Sequence, residues 1–70
     1  MHLKELIETL KKRRDILGVT QEHLADLSGV GLRTLKALES GKSNPTFETL
    51  RKLAEVLGME LKLQVKKPKL

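Results

Sequence analysis

The residues best suited to chemistry in this 70-residue chain are hydrogen-bond donors gathered in one short basic segment. Arg33, Lys36 and Lys42 lie close together with a single acid among them, Glu39, whereas residues 15–30 contain no lysine or arginine. Ammonium and guanidinium groups donate to phosphate oxygens, and a guanidinium can also donate two hydrogen bonds to one planar partner. The net charge of +5 fits a polyanionic partner; the alternative is that this charge serves only solubility.

The sequence argues against several classes of function. The chain has no cysteine, and its two histidines, His2 and His23, are far apart, without a set of ligands at zinc spacing. No histidine stands beside a credible serine and acid pair, and no glycine-rich loop is suited to hold phosphate. No apolar run approaches the roughly 18 residues of a membrane helix, and the N-terminus lacks a signal-peptide core. We therefore expect a soluble, cytoplasmic protein that is not an enzyme, binds no metal or cofactor and has no membrane partner.

Two amphipathic helices are predicted in the first half of the chain. Leucine and isoleucine recur at helical spacing over residues 3–17, and Gly18 should end that helix. Thr20 is expected to cap a second, short helix, which is broken at Ser28 and Gly29. The residues predicted to form the buried side of this second helix are Leu24, Ala25 and Leu27.

Two further helices are predicted in the second half. The third runs to about Ser40, and Gly41 should end it. The apolar side of this third helix consists of Leu32, Leu35 and Leu38. After a loop that contains Pro45, Thr46 can cap a fourth helix, which Gly58 should stop. The residues of the fourth helix expected to face inward are Phe47, Leu50, Leu53, Ala54 and Leu57.

The hydrophobic periodicity changes after Gly58 from that of a helix to that of a strand. Apolar residues alternate with polar ones over residues 59–66, which predicts a half-buried strand followed by a basic tail at 67–70. Since no other segment has the pattern of a strand, its partner should come from another chain, most simply the same strand of a second copy. The alternative is a frayed terminus. The apolar residues expected at this dimer contact are Met59, Leu61, Leu63 and Val65.

The second and third helices with their turn fit within residues 20–40, which is helix-turn-helix spacing. The landmarks around them are Thr20-Gln21, Leu24-Ala25, Gly29, Leu35, Leu38-Glu39, Gly41-Lys42, Pro45 and Leu50. At these positions the chain resembles the Cro/C1-type (XRE) helix-turn-helix family, over about residues 3–58. The resemblance implies a mainly α, four-helix, lambda-repressor-like DNA-binding domain over residues 1–58. With the strand that begins at Met59, the whole chain is similar to the HipB-type subgroup, whose members dimerise through a C-terminal strand.

The resemblance assigns base recognition to the third helix, whose N-terminal half should enter the major groove of DNA. Arg33 is the first candidate, because a guanidinium can bond both O6 and N7 of guanine. Thr34 and Lys36 come next, and either could touch phosphate instead. Leu32 and Ala37 stand where the family often has polar base readers, so they can make only apolar contacts, for example with a thymine methyl group.

Contacts with the DNA backbone are implied for the start of the second helix and for the loop after the third. Gln21 and the N-terminal amides of the second helix are placed against phosphates, where the helix dipole favours an anion; the alternative is an ordinary exposed residue. The family pairs an arginine of the first helix, here Arg14, with the glutamate that ends the third, here Glu39. The alternative for Arg14 is a solvated side chain or another phosphate contact. The remaining candidates for phosphate contact, which loop polarity alone would also select, are Ser40, Lys42, Ser43, Asn44 and Thr46.

Two functions are therefore expected from the sequence. The first is a transcriptional repressor that binds double-stranded DNA at a pseudo-palindromic operator as a homodimer. The alternative, implied by the similarity to the HipB-type subgroup, is an antitoxin that neutralises a toxin protein and represses its own operon. A plain helical bundle would leave the spacing of the landmarks unexplained.

Overall fold

Four α-helices form the domain in a computed structural model, which describes residues 2–63. The mainly helical, four-helix fold predicted from the sequence is therefore confirmed. None of the helices in the described residues is long and apolar enough to cross a membrane. Over the same residues, no group of three or more His, Cys, Asp or Glu side chains is placed to hold a metal ion. The helices are α1 (Leu3–Leu17), α2 (Gln21–Ser28), α3 (Leu32–Glu39) and α4 (Phe47–Val56).

Threonine side chains fix the starts of α2 and α4, as predicted. The hydroxyl of Thr20 accepts a hydrogen bond from the backbone N–H of His23 at 3.0 Å. The hydroxyl of Thr46 accepts one from the N–H of Thr49 at 3.1 Å. Each bond satisfies a donor that has no partner inside the helix, and such a cap stabilises a helix by about 1 kcal/mol.

Gly41 ends α3 in the left-handed conformation, with φ of 77°, which glycine adopts without steric cost. Its N–H bonds the carbonyl of Leu38 at 3.1 Å. The N–H of Lys42 then bonds the carbonyl of Ala37 at 2.9 Å. These two bonds satisfy carbonyls at the end of the helix and turn the chain sharply into the polar loop that leads to α4.

One apolar core holds the helices together. Its largest fully buried side chains come from α2, α3 and α4 and the residue that follows α4, with exposed fractions between 0 and 2%: Leu24, Leu35, Leu38, Leu53 and Leu57. The first helix contributes Ile7 and Leu10. α2 packs against both α3 and α4, and α1 packs against α3. The core thus fixes α2 relative to α3, the two helices that the family resemblance assigns to DNA.

Two apolar residues that were expected in the core lie at its edge instead. Leu27 is 57% exposed. The inward stripe of α2 runs through Leu24 and Ala25, and at about 100° per residue Leu27 lies roughly 110° from the centre of that stripe. Phe47 is 61% exposed because it is the first residue of α4, at the margin of the core. The prediction that these two side chains are buried was wrong.

Arg13 joins α1 to the end of α4. Its Nε donates to the backbone carbonyl of Leu57 at 3.0 Å. Carbonyls at the C-terminus of a helix lack partners within the helix and carry partial negative charge, so a cation placed there stabilises the helix. No sequence pattern predicted this contact.

The chain leaves α4 in an irregular segment. The N–H of Met59 bonds the carbonyl of Ala54 at 2.8 Å. Met59 and Leu61 are half-buried and pack against the core. Leu63, the next apolar residue in the alternation, is 98% exposed. The first two apolar residues of the segment therefore join the domain, and the third does not.

The strand predicted for residues 59–66 is not formed over residues 59–63, the part that the structure describes. A strand needs a second strand to pair its backbone groups, and the described residues of this chain contain none. Val65 and the basic tail at 67–70 lie outside the described residues. Strand pairing between two copies therefore stays a prediction.

Candidate nucleic-acid interface

Three residues join α2 to α3 in a turn that is held by hydrogen bonds to the end of α2 and by one buried side chain. Gly29 has φ of 76°, and its N–H bonds the carbonyl of Ala25 at 3.0 Å. Val30 is only 8% exposed, and its N–H bonds the hydroxyl oxygen of Ser28 at 3.2 Å. Because an apolar side chain and backbone hydrogen bonds both hold the turn, α2 and α3 form one structural unit.

α3 has one buried face and one open face. Leu35 and Leu38 are 1% and 0% exposed, and they fix the helix on the core. The three predicted base readers with donors, Arg33, Thr34 and Lys36, are all exposed. Neither Arg33 nor Lys36 forms an ion pair with another described residue. The open face of α3 therefore presents two cations that can bind an external partner.

The two apolar candidates on α3 are placed differently. Leu32 is half-buried and packs against the core. Ala37 is also half-buried. Part of each side chain remains open, so each can contact an apolar group of a ligand, but neither supplies a hydrogen-bond donor.

An ion pair joins α1 to the last residue of α3. Arg14 donates from Nε to Oε2 of Glu39 at 2.8 Å and from Nη2 to Oε1 at 2.9 Å, and its Nη1 donates to the carbonyl of Val19 at 2.9 Å. The two side chains are 13% and 6% exposed. The hydrogen bond with Glu39 raises the pKa of Arg14 above its ordinary value, against the opposing effect of burial. The pairing implied by the family resemblance is confirmed, and Arg14 directs these donors to acceptors within the protein.

Gln21 belongs to the same network. Its Nε2 donates to Oε1 of Glu39 at 2.9 Å, and the residue is half-buried. Since Gln21 is the first residue of α2 and Glu39 the last of α3, this bond ties the start of one helix to the end of the other. The two residues are 18 positions apart, and no periodic pattern relates them, so sequence analysis had no signal for this contact.

The polar loop after α3 presents most of its predicted contact groups to solvent. The exposed members are Ser40, Lys42, Asn44 and Thr46. The hydroxyl of Ser40 donates to a carbonyl of α3 at 3.0 Å, and that of Thr46 caps α4. The hydroxyl oxygen of Ser43 is buried and has no hydrogen-bond partner among the described residues. Lys42 and Asn44 are therefore the loop residues best placed to donate to an external anion.

An apolar groove of about 380 Å³ lies between α1, α4 and the segment after α4. Phe47 and Leu63, both largely exposed, line it together with the half-buried Leu6, Met59 and Leu61. The fold thus brings together the three described residues that were predicted to form the dimer contact. No residue of α2 or α3 lines the groove, so it is separate from the open face of α3.

Comparison with known proteins shows consistent similarities. A family model described as helix-turn-helix matches residues 10–64. The chain is 41% identical over 58 residues to an uncharacterized HTH-type transcriptional regulator of Haemophilus influenzae, covering 83% of this chain and 59% of that protein. It is 39% identical over 51 residues to another such regulator, from Methanothermobacter thermautotrophicus, covering 73% of this chain and 74% of that protein. It is 37% identical over 54 residues to the cryptic phage CTXphi transcriptional repressor RstR of Vibrio cholerae, covering 77% of this chain and 48% of that protein. The chain thus spans between about half and three quarters of the length of these relatives.

Proposed function

Since this chain belongs to the helix-turn-helix family, in its Cro/C1-type (XRE) group, we propose that it is a DNA-binding transcriptional regulator, and more specifically a homodimeric repressor. The observation that carries the proposal is the open face of α3, where Arg33, Thr34 and Lys36 are exposed. The two cations of this face have no ion-pair partner among the described residues. Repression is favoured because the relative in Vibrio cholerae is named as a transcriptional repressor.

Base recognition follows from placing α3 in the major groove, where each base pair shows a distinct pattern of donors and acceptors. Arg33, in the first turn of α3, donates to O6 and N7 of guanine. Thr34 and Lys36 add single hydrogen bonds to bases or to phosphates. Leu32 and Ala37 offer only apolar contact, which suits a thymine methyl group.

Phosphate contacts hold α3 in position on the duplex. Gln21 and the unpaired N–H groups at the start of α2 face one strand, where the positive end of the helix dipole attracts an anion. Lys42 and Asn44 extend these contacts into the loop, together with the exposed ends of Ser40 and Thr46. Such contacts fix the orientation of the domain but do not read sequence.

The apolar groove supports dimerisation. Exposed apolar surface is unfavourable in water, and a second copy that covers Phe47 and Leu63 removes it from solvent. Pairing of residues 59–66 with the same segment of the second copy also satisfies their backbone donors and acceptors. A two-fold dimer presents one α3 to each of two successive major grooves, about 34 Å apart.

Titration of duplex binding against salt tests the proposed contacts with DNA. Each neutralised phosphate releases a counterion, so the logarithm of the association constant should fall linearly with the logarithm of salt concentration, by about 0.9 per contact. The matched control is Arg51→Ala on α4, because Arg51 is already paired with Glu48 at 2.6 Å and with Glu55 at 3.0 Å. This variant should keep the slope of the unmodified protein. A flat response of the unmodified protein would contradict the proposal.

An antitoxin is the second candidate function, and the open apolar groove is the observation that favours it. A toxin protein could occupy the groove in place of a second copy, because either partner would cover the same apolar side chains. Purification of the chain from its native host distinguishes the two. Recovery of a stoichiometric protein partner that shields Phe47 and Leu63 supports the antitoxin, whereas recovery of a homodimer alone contradicts it.

A further inference from the structure

We propose that Glu39 is a positioning residue, which orients the side chain of Gln21 so that its amide nitrogen, and not its oxygen, faces a DNA phosphate. The inference rests on the proposed function, because it concerns how the same interface contacts the DNA backbone. It is carried by the hydrogen bond from Nε2 of Gln21 to Oε1 of Glu39 at 2.9 Å. Glu39 itself is held by the two hydrogen bonds from Arg14, at 2.8 and 2.9 Å.

The chemistry of the amide makes its orientation important. A glutamine side chain has one end that only donates and one end that only accepts, and a phosphate oxygen only accepts. A free glutamine at the surface presents either end. A carboxylate also only accepts, so Glu39 bonds Gln21 solely through Nε2, and a flipped amide would place its oxygen against the carboxylate. One hydrogen of Nε2 is used in this bond, and the second hydrogen remains on the same nitrogen for a phosphate.

The position and charge of Glu39 suit this role. Its side chain is only 6% exposed and is bound through both oxygens, so it gives Gln21 a fixed partner. A lone carboxylate at the interface would repel DNA, but the charge of Arg14 compensates it within the pair. Arg14 therefore contributes to DNA binding by holding and neutralising Glu39.

A double-mutant cycle on DNA affinity tests the inference. The variants are Gln21→Ala, Glu39→Gln and the two together, measured with one duplex at one salt concentration by fluorescence anisotropy. Gln21→Ala should weaken binding about tenfold when Glu39 is present, as expected for a hydrogen bond to a charged group. In the Glu39→Gln background the amide of Gln21 is no longer oriented, so the same substitution should cost about threefold or less. Glu39→Gln also removes a negative charge from the interface. This change affects DNA binding equally with and without Gln21→Ala, so it cancels in the cycle.

A merely structural role for Glu39 gives a different result. Glu39→Gln would then lower thermal stability, while Gln21→Ala would cost the same factor in both backgrounds, and this additivity would overturn the inference. Failure of the unmodified protein to bind any duplex would instead overturn the proposed function. The two failures are therefore distinguishable within one set of measurements.

Nuclear magnetic resonance of the unmodified protein gives a second test, which decides the question if Glu39→Gln does not fold. One of the two side-chain N–H resonances of Gln21 should be shifted downfield of its ordinary position in the free protein, because that hydrogen is bonded to the carboxylate of Glu39. Addition of a duplex should then shift mainly the other resonance. Unchanged side-chain resonances of Gln21, while backbone N–H groups of α2 shift on binding, would overturn the inference.

Discussion

In the proposed complex with DNA, Arg33 carries most of the base recognition, because Leu32 and Ala37 on the same helix supply no hydrogen bond. A guanidinium that bonds guanine through two atoms discriminates against the wrong base by about 1–3 kcal/mol. Arg33→Ala should therefore weaken binding to the preferred site roughly 5- to 150-fold, with a much smaller effect on unrelated duplexes. Competition between the two duplexes measures this ratio, and Arg51→Ala serves as the control. Unaltered site preference in Arg33→Ala would show that another side chain reads the sequence.

Lys42 is expected to act on the phosphates alone. Lys42→Ala should weaken binding to every duplex by a similar factor, since a phosphate contact carries no sequence information. The salt slope should also become shallower by about 0.9, because one fewer counterion is released. Both quantities come from salt titrations on two unrelated duplexes. A loss confined to one duplex would assign Lys42 to base contact instead.

At the scale of residues, the sequence predicted the exposed donors of α3 but not the contact that links the start of α2 to the end of α3. Arg14 and Glu39 were paired only through the family resemblance, and the structure confirms the pair. The bond from Gln21 to Glu39 was not predicted, because it depends on how the start of α2 and the end of α3 meet in space. Burial of the Ser43 hydroxyl was missed for the same reason, since loop polarity says nothing about orientation.

At the scale of elements, α2 provides a direct test of which face is buried. Leu24 is 2% exposed and Leu27 is 57% exposed, so the two leucines differ in environment but not in chemistry. Leu24→Ala should lower the free energy of unfolding by about 2–5 kcal/mol, whereas Leu27→Ala should change it by less than about 0.5 kcal/mol. Urea denaturation followed by circular dichroism measures both. Equal losses for the two variants would mean that α2 packs with a different face.

Arg13 should stabilise the junction between α1 and α4. The bond from its Nε to the carbonyl of Leu57 is partly exposed, so Arg13→Ala is expected to cost about 1 kcal/mol. Lys12→Ala is the matched control on the same helix, because Lys12 is exposed and has no ion-pair partner among the described residues. Thermal unfolding of both variants gives the comparison. If the midpoint temperature of unfolding of Arg13→Ala equals that of Lys12→Ala, Arg13 does not stabilise the junction between α1 and α4.

The ends of the helices were predictable because they depend on local chemistry. Thr20 and Thr46 cap helices through bonds to N–H groups three residues away, and Gly41 ends a helix through its own backbone angle. Leu27 and Phe47 were predicted wrongly because burial depends on which face of α2 packs on the core and on where α4 begins relative to the core. In a helix as short as α2, a small set of apolar residues does not define the centre of the buried stripe.

At the scale of the whole molecule, the proposed dimer depends on the apolar groove. Leu63→Glu places a charge in the contact, and because Leu63 is 98% exposed the substitution should leave the fold of one copy intact. Sedimentation equilibrium should show a change from dimer to monomer. Ile16→Glu is the matched control, since Ile16 is 67% exposed and does not line the groove. A dimer that persists in Leu63→Glu, or that is lost equally in Ile16→Glu, would place the interface elsewhere.

The proposed second copy was predicted from the sequence only because the predicted C-terminal strand lacks a partner strand. The alternation over residues 59–66 predicts a strand, and no other segment of the sequence has a strand pattern that could pair with it. The structure adds a physical reason for a partner, because Phe47 and Leu63 are left open on the surface that this segment borders. The position of the partner depends on surfaces of two molecules, which the pattern of one chain does not encode.

Selection of bound sites from random duplex DNA by the purified protein tests sequence-specific binding as a homodimer. An enriched, pseudo-palindromic sequence is expected, whose two half-sites lie about one helical turn apart, roughly 34 Å between centres. Each half-site should contain a guanine that Arg33 contacts. Replacement of this guanine should weaken binding less for Arg33→Ala than for the unmodified protein. Recovery of no enriched sequence, or of a single asymmetric site, would contradict a sequence-specific homodimer.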